Sequence, residues 1–177
     1  MREITAEDWE QDHQETWLLR DPRDRFRIEV KHWKWGYRAR VVTGRTHNWN
    51  MYIDIPADSW LFREIMKDGL DTDLVHSIPL HGGITLSDLT YAPVPTYTTP
   101  DPVILTPRPP AFLRLGCDYM HYGDDRFSLM SNAQEAKEVF DDAVDLFYWM
   151  LGLMDAREGL LTPPPHTCGK DTDEQTH

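Results

Sequence analysis

The sequence has little cysteine and no long hydrophobic run. Its two cysteines lie far apart, which argues against a structural disulfide and fits a reducing compartment. No apolar stretch approaches the roughly 18 residues of a membrane span, and the acidic N-terminus is unlike a signal peptide. These absences predict a soluble cytoplasmic protein that does not contact a membrane.

Cations are also scarce. Acidic residues outnumber lysine and arginine by 30 to 18, which gives a formal net charge of -12. Direct binding of duplex nucleic acid requires clustered cations and is therefore not expected. Nine of the 18 cations nonetheless lie between residues 20 and 45. This asymmetry predicts a basic face that receives an anionic ligand or an acidic partner, although solvated strand faces with ordinary ion pairs explain it equally well.

The short motifs that identify many enzymes are missing as well. The chain has no glycine-rich phosphate loop, no Gly-x-Ser-x-Gly elbow, and neither the HExxH nor the CxxC metal spacing. No single motif therefore names a reaction.

Apolar and charged residues alternate with a period of two in several stretches, which indicates strands with one buried face. Glycine, proline or asparagine bounds these stretches. Five strands are predicted, the first three as a meander, at residues 26–33, 37–43, 49–55, 83–86 and 111–116.

Two helices follow from three- and four-residue apolar spacing and from end signals. A short helix over residues 59–67 is capped by Asp58 and ended by Gly69. A long amphipathic helix lies between residues 131 and 159. Its start carries two overlapping capping-box patterns, Ser131 with Gln134 and Asn132 with Glu135.

Together these elements predict an α+β fold, in which an antiparallel sheet of about five strands packs against one long C-terminal helix and a short helix. Residues 1–25 are predicted as an N-terminal extension, 26–160 as a single α+β domain, and 161–177 as a flexible tail. Residues 88–110 hold seven of the 13 prolines and are predicted to be an irregular loop that either covers a site or has no role in one.

Glycine, histidine and aspartate are concentrated in "HGGIT" and "GCDYMHYGD". Asp118 and His121 are three residues apart and can face one point, with Asp124 one turn further along. We therefore expect His81, Asp118, His121 and Asp124 to form one catalytic cluster. It suits either a divalent metal bound by His81, Asp118 and His121 or a metal-free acid–base pair. Hydrogen bonds that only stabilise turns are the third explanation.

These stretches resemble the HGG(L/I)T and GxDxxHxGD signatures of a family of small uncharacterised phage and bacterial proteins. The resemblance spans about residues 37–124 and implies a shared site, in the host cytoplasm if the chain is phage-encoded. This chain departs from the family at Cys117, where an aromatic residue is usual, and at Tyr119, where cysteine is frequent. Tyr119 weakens the case for a cysteine nucleophile. The matching residues are His81, Gly82, Gly83, Thr85, Gly116, Asp118, His121, Gly123 and Asp124.

Further residues, some within the first motif and some well before it in the chain, are candidates for ligand binding. Gly82 and Gly83 allow close approach of a ligand to the backbone, and Thr85 follows them. Aromatic and basic side chains also interleave, as in proteins that stack bases and bind phosphate, although cross-strand aromatic packing explains the same pattern. The interleaved candidates are Trp33, Trp35, Arg38 and Arg40.

Three functional hypotheses remain open. The first is a small phage-type accessory protein, with or without a divalent metal, that hydrolyses or binds a nucleotide-like anionic small molecule. The second is an acidic, non-enzymatic anti-defence inhibitor that mimics nucleic acid to bind a protein partner, or that sequesters a nucleotide signal. The third is a structural protein without a site. The acids of the long helix predicted for such a mimic are Glu135, Glu138, Asp141, Asp142 and Asp145.

Overall fold

Five antiparallel strands form one sheet in the computed structural model, which describes residues 11–91 and 110–159. Neighbouring strands follow the order β1-β2-β3-β5-β4. The strands are β1 Gln11–Arg20, β2 Arg27–Trp35, β3 His47–Pro56, β4 Leu86–Tyr91 and β5 Pro110–Asp118. The α+β class is confirmed.

The α-helices are α1 Tyr37–Thr43, α2 Trp60–Asp68, α3 Asp73–His76 and α4 Lys137–Arg157. Three of the four helices in the described residues, α2, α3 and α4, contribute buried apolar side chains to one core with the sheet. The buried stripe of α4 joins a single core with α2 and the inward residues of the strands. Within the described ranges, none of these helices has the length and apolar character needed to cross a membrane.

The predicted strand over residues 37–43 is wrong, because this stretch forms α1. Gly36 precedes the helix, and Gly44 ends it with a φ of 71°, a left-handed conformation that suits glycine. Strands β2 and β3 pair directly with each other, so no sheet edge is left between them for a third strand. Only Ala39 of α1 is buried, and tertiary pairing therefore overrode the period-two pattern.

Two other boundaries differ from the sequence prediction. Strand β1 lies within the range assigned to an N-terminal extension, yet its residues pair with β2 along its length. The strand predicted at 83–86 begins only at Leu86, because Gly82 and Gly83 have φ values of 65° and 91° and form a turn. The predicted tail and most of the proline-rich segment lie outside the described residues.

The ends of α2 follow the predicted chemistry closely, whereas α4 starts several residues later than predicted and its N-cap, Ala136, makes no side-chain hydrogen bond. Ser59, rather than Asp58, caps α2 by accepting the backbone N–H of Phe62, and Gly69 ends that helix as predicted. The long helix begins at Lys137, after a turn in which the Asn132 side chain accepts the backbone N–H of Glu135. This bond corresponds to the second of the two capping-box patterns.

Aromatic side chains fill the sheet-to-helix interface around Trp49. Its indole N–H donates to the Met130 carbonyl at 3.0 Å, and its ring stacks on His32 with centroids 4.2 Å apart. Trp17 and Phe140 pack against it as well. Trp49 is therefore a core residue.

The opposite face of the sheet carries ion pairs. Arg114 donates to Asp54 at 2.7 and 2.8 Å and to Glu29 at 2.8 Å, and Arg27 donates to Asp54 at 2.6 Å. Lys31 lies 3.5 Å from Glu29. Several cations of the basic segment therefore serve internal ion pairs, as the simpler explanation of the charge asymmetry predicts.

Candidate functional site

The two glycine- and histidine-rich stretches meet at one end of the sheet. His81 lies in the turn that precedes β4, while Asp118 ends β5. His121 and Asp124 follow in the next turn. The backbone N–H of Thr85 donates to the Gly116 carbonyl at 2.9 Å and attaches the first turn to β5. The structure thus brings together residues that are about 40 positions apart.

Asp124 lies at the centre of this cluster. Its two carboxylate oxygens are 3.0 and 2.9 Å from His81 Nε2, and one of them is 3.4 Å from His121 Nδ1. One ligand-type atom from each of these three residues lies within 4.8 Å of the others. The arrangement matches a metal site with two imidazole ligands and one carboxylate ligand.

A tight turn holds the Asp124 carboxylate in place. Its Oδ2 accepts the backbone N–H of His121 at 3.1 Å, while its own backbone N–H donates to the His121 carbonyl at 3.0 Å. Gly123 completes the turn with a φ of 95°, a conformation that favours glycine. The spacing His-x-Gly-Asp therefore places an imidazole and a carboxylate on the same side of the turn.

Gly82 is required by the close packing of the two turns. A Cβ atom at this position would lie only 2.6 Å from the imidazole of His121. The sequence predicted that the paired glycines allow a close approach, and at Gly82 the approaching group is a histidine of the same site. Any side chain there would displace His121.

Two aromatic rings hold His81. Its imidazole stacks on Tyr119 with centroids 4.3 Å apart, and the edge of Phe127 packs at 5.7 Å. Burial raises the pKa of Tyr119, so its phenol stays protonated and donates to Asp142 Oδ2 at 2.9 Å. The same oxygen lies 3.6 Å from His81 Nδ1. Both nitrogens of His81 therefore face carboxylates.

Sequence reasoning missed Asp142 as a site residue and placed it on the outer face of the long helix. The structure places it half-buried beside His81 instead. It follows Val139 by three positions and directly precedes Ala143, both of which belong to the buried stripe. Its position next to the apolar stripe could have indicated from the sequence that Asp142 lies close to the sheet.

For a divalent metal held by this cluster, we expect Asp142→Asn to weaken binding by about 10-fold, because outer carboxylates that orient a ligand histidine typically contribute this much. The amide still accepts the Tyr119 hydroxyl but loses the charge that orients His81. Isothermal titration of the metal-free protein would measure the change. Asp145→Asn, an exposed position on the same helix, is the control, and an equal loss there would contradict the role of Asp142.

Asp118 lies at the margin of the cluster. Its Oδ1 accepts the backbone N–H of Met120 at 3.0 Å, and it lies 4.0 Å from His121 Nδ1. The predicted metal set of His81, Asp118 and His121 therefore differs from the observed group, in which Asp124 supplies the carboxylate. Asp118 lies beside that group and supports the turn.

Cys117 is separate from the cluster's chemistry. It is buried in the core, and burial raises the pKa of its thiol to about 12. The thiol is therefore protonated near neutral pH and is a poor nucleophile or metal ligand.

The aromatic and basic candidates lie on β2 and α1. Trp33 and Trp35 are half-buried, and Trp33 packs edge-on against His13 at 5.0 Å. Arg38 and Arg40 are half-buried on α1. Cross-strand packing accounts for Trp33, and a ligand role for these four residues remains a prediction.

No family model, curated protein or solved structure matches this chain. The resemblance to the phage and bacterial family therefore remains a prediction.

Proposed function

We propose that His81, His121 and Asp124 bind a divalent transition metal, and that the protein uses this site to hydrolyse a nucleotide-like anionic small molecule. The observation that supports the metal most directly is the convergence of three ligand-type atoms within 4.8 Å. In addition, His121 Nδ1 is buried and makes no hydrogen bond within the described part of the chain. Buried polar atoms normally have a partner, and a metal would supply one.

The charge around the cluster also favours a cation. The carboxylates of Asp118, Asp124 and Asp142 lie near the two imidazoles, and no lysine or arginine of residues 11–91 or 110–159 pairs with them. The group therefore contains more carboxylates than imidazoles. Imidazole and carboxylate together suit zinc, manganese or iron.

The side chains around the cluster have separable roles in such a reaction. A bound divalent metal lowers the pKa of a coordinated water and polarises the substrate. Asp142 and Tyr119 hold the His81 ring, and the His121–Asp124 turn fixes the carboxylate. Side chains that are oriented before the reaction need no reorganisation during it.

Two arginines lie at the turn that follows Asp124, one within it and one paired with it, and are candidates to bind an anionic substrate. Arg45 pairs with Asp125 at 3.0 Å, and Arg126 pairs with Glu138 at 2.6 Å. Both contacts include strongly exposed groups, and such surface ion pairs contribute only about 0 to 1 kcal/mol. Either guanidinium can therefore exchange its carboxylate for a substrate phosphate at small cost.

The test is metal analysis followed by turnover, on protein purified without a histidine tag. We expect one bound transition metal per chain and metal-dependent hydrolysis of p-nitrophenyl phosphate or of a nucleotide from a panel. The His121→Ala variant should lose both the bound metal and the hydrolysis. His76→Ala is the matched control, because His76 is an exposed histidine that pairs with Asp71 outside the cluster.

The two parts of the proposal fail in different ways. Absence of metal after reconstitution with zinc or manganese, with His121→Ala as stable as the wild type, would contradict the metal site. Stoichiometric metal without turnover of any phosphate ester in the panel would leave the metal site and overturn the hydrolase.

The acidic-inhibitor hypothesis has weaker support. On α4, Asp142 is half-buried and faces His81 rather than the surface. Fewer exposed charges therefore remain on the helix to imitate phosphates than the sequence predicts.

A further inference from the structure

A second surface lies between the C-terminal half of α2 and strand β4. It is a groove of about 370 Å³ whose walls include Ile65, Met66 and Leu70, with Leu89 and Leu113 on the sheet side. The lining is mainly aliphatic. A neighbouring hollow of about 300 Å³, lined by residues of α3 and of the segment that leads into β4, shares Leu70 and Ser87 with this groove.

Strand β4 forms an edge of the sheet. It pairs with β5 on one side and with no other described strand. Its sequence, "LSDLTY", contains neither lysine nor proline, the residues that commonly protect exposed edges. Apolar side chains beside this edge are exposed as well, with Met66 at 49% and Leu70 at 40%. An edge of this kind is a template for another strand.

We propose that the β4 edge and the α2 groove bind an extended segment of a partner protein in which apolar and basic residues alternate. The alternation follows from the pleat, because successive side chains of a strand point to opposite faces. Leu89 is in register with Leu113 on the groove side of the sheet, whereas Asp88 is in register with Arg114 on the other side. An added strand would therefore direct every second residue into the groove and the others toward the Asp88 side.

The charge at the rim determines which partner fits. Asp88 is the exposed acid of the edge strand and also lines the groove. It forms no ion pair with any residue in the described ranges. Basic residues at the alternate positions that face the Asp88 side would complement this carboxylate. A second copy of the chain would instead bring the same carboxylate and a net charge of -12 to the contact.

The test uses the whole protein and three synthetic heptapeptides with blocked ends. The first alternates lysine and valine, the second has the same composition with its lysines and valines in separate blocks, and the third has glutamate for lysine. We expect only the first to slow amide hydrogen exchange in residues 86–91, and to bind at least about 10-fold more tightly than the others. A rise in salt should weaken this binding.

Two variants test separately the contribution of the apolar groove and that of the charge on strand β4. Met66→Asp and Asp88→Lys should each weaken binding of the alternating peptide by at least about 10-fold. Val144→Asp, an exposed apolar position on α4, should leave binding unchanged.

Three outcomes would overturn the proposal. The first is equal binding of the block peptide. The second is slow exchange, in the free protein, of the amides of residues 86–91 that do not bond to β5, since the edge would then be occupied. The third is a dimer that Met66→Asp converts to a monomer, since the occupant would then be a second copy. Because these measurements involve neither metal nor turnover, they are independent of the proposed function.

Discussion

Asp124→Asn is expected to reduce divalent-metal affinity by at least about 100-fold, because we propose Asp124 as a direct ligand and the loss of such a ligand exceeds the usual effect of an outer carboxylate. The amide removes the negative charge that lies within 3.0 Å of His81 and 3.4 Å of His121. Its carbonyl oxygen can still accept the backbone N–H of His121. The turn should therefore persist, and the free energy of unfolding of the metal-free protein should change by only about 1 kcal/mol.

Asp125→Asn is the matched control, because this neighbouring carboxylate is exposed and pairs with Arg45 rather than with the histidines. Titration of zinc or manganese, together with urea unfolding, separates binding from stability. If Asp124→Asn bound metal like the wild type, or if both variants lost it equally, Asp124 would not be the central ligand.

The second large effect is a loss of stability in mild acid. Burial, and then the nearby His47 and His13, lower the pKa of His32 to about 4 from an ordinary value of 6.5. The unfolded chain binds a proton below pH 6.5, whereas the folded chain does so only near pH 4. The free energy of unfolding should therefore fall as pH falls through this window, by about 3 kcal/mol for complete protonation of His32. Burial also lowers the pKa of His47, which adds in the same direction.

Urea unfolding at intervals between pH 7.5 and 4.5 would measure this slope. His32→Gln keeps a donor for the 2.9 Å bond to His47 but removes the titrating ring, so its slope should be shallower whatever its absolute stability. The exposed His76→Gln variant should retain the slope of the wild type. If His32→Gln and the wild type lost stability in parallel, another group would be responsible.

The strands and helices were predictable where local pattern and burial agree. In β2 and β3, alternate apolar residues face the core, and the long helix carries a regular apolar stripe. The same reasoning failed at 37–43, because the pattern of a single segment does not report which sheet edges are available. It also missed β1, whose exposed outer positions give a weak apolar signal.

The site was predictable as a group of residue types but not as a geometry. His81, His121 and Asp124 could be named because glycine-rich turns with histidine and aspartate are typical of close backbone packing. The hydrogen bonds of the turn decide which carboxylate faces both histidines. Asp118 accepts the backbone N–H of Met120 at 3.0 Å, whereas Asp124 accepts that of His121 at 3.1 Å and lies between the two imidazoles. Asp142 could not be assigned to the site until α4 had been placed against the sheet.

By itself, the sequence determined the α+β composition of this protein, the glycine that ends α2 and the chemical nature of its candidate ligands, because these depend on local spacing and residue type. Only the tertiary structure decided that α1 is a helix, that Trp49 is core, and that Asp142 and Tyr119 surround His81. Those features depend on pairing and packing between segments far apart in the chain. A local sequence pattern does not specify which distant segments pack together.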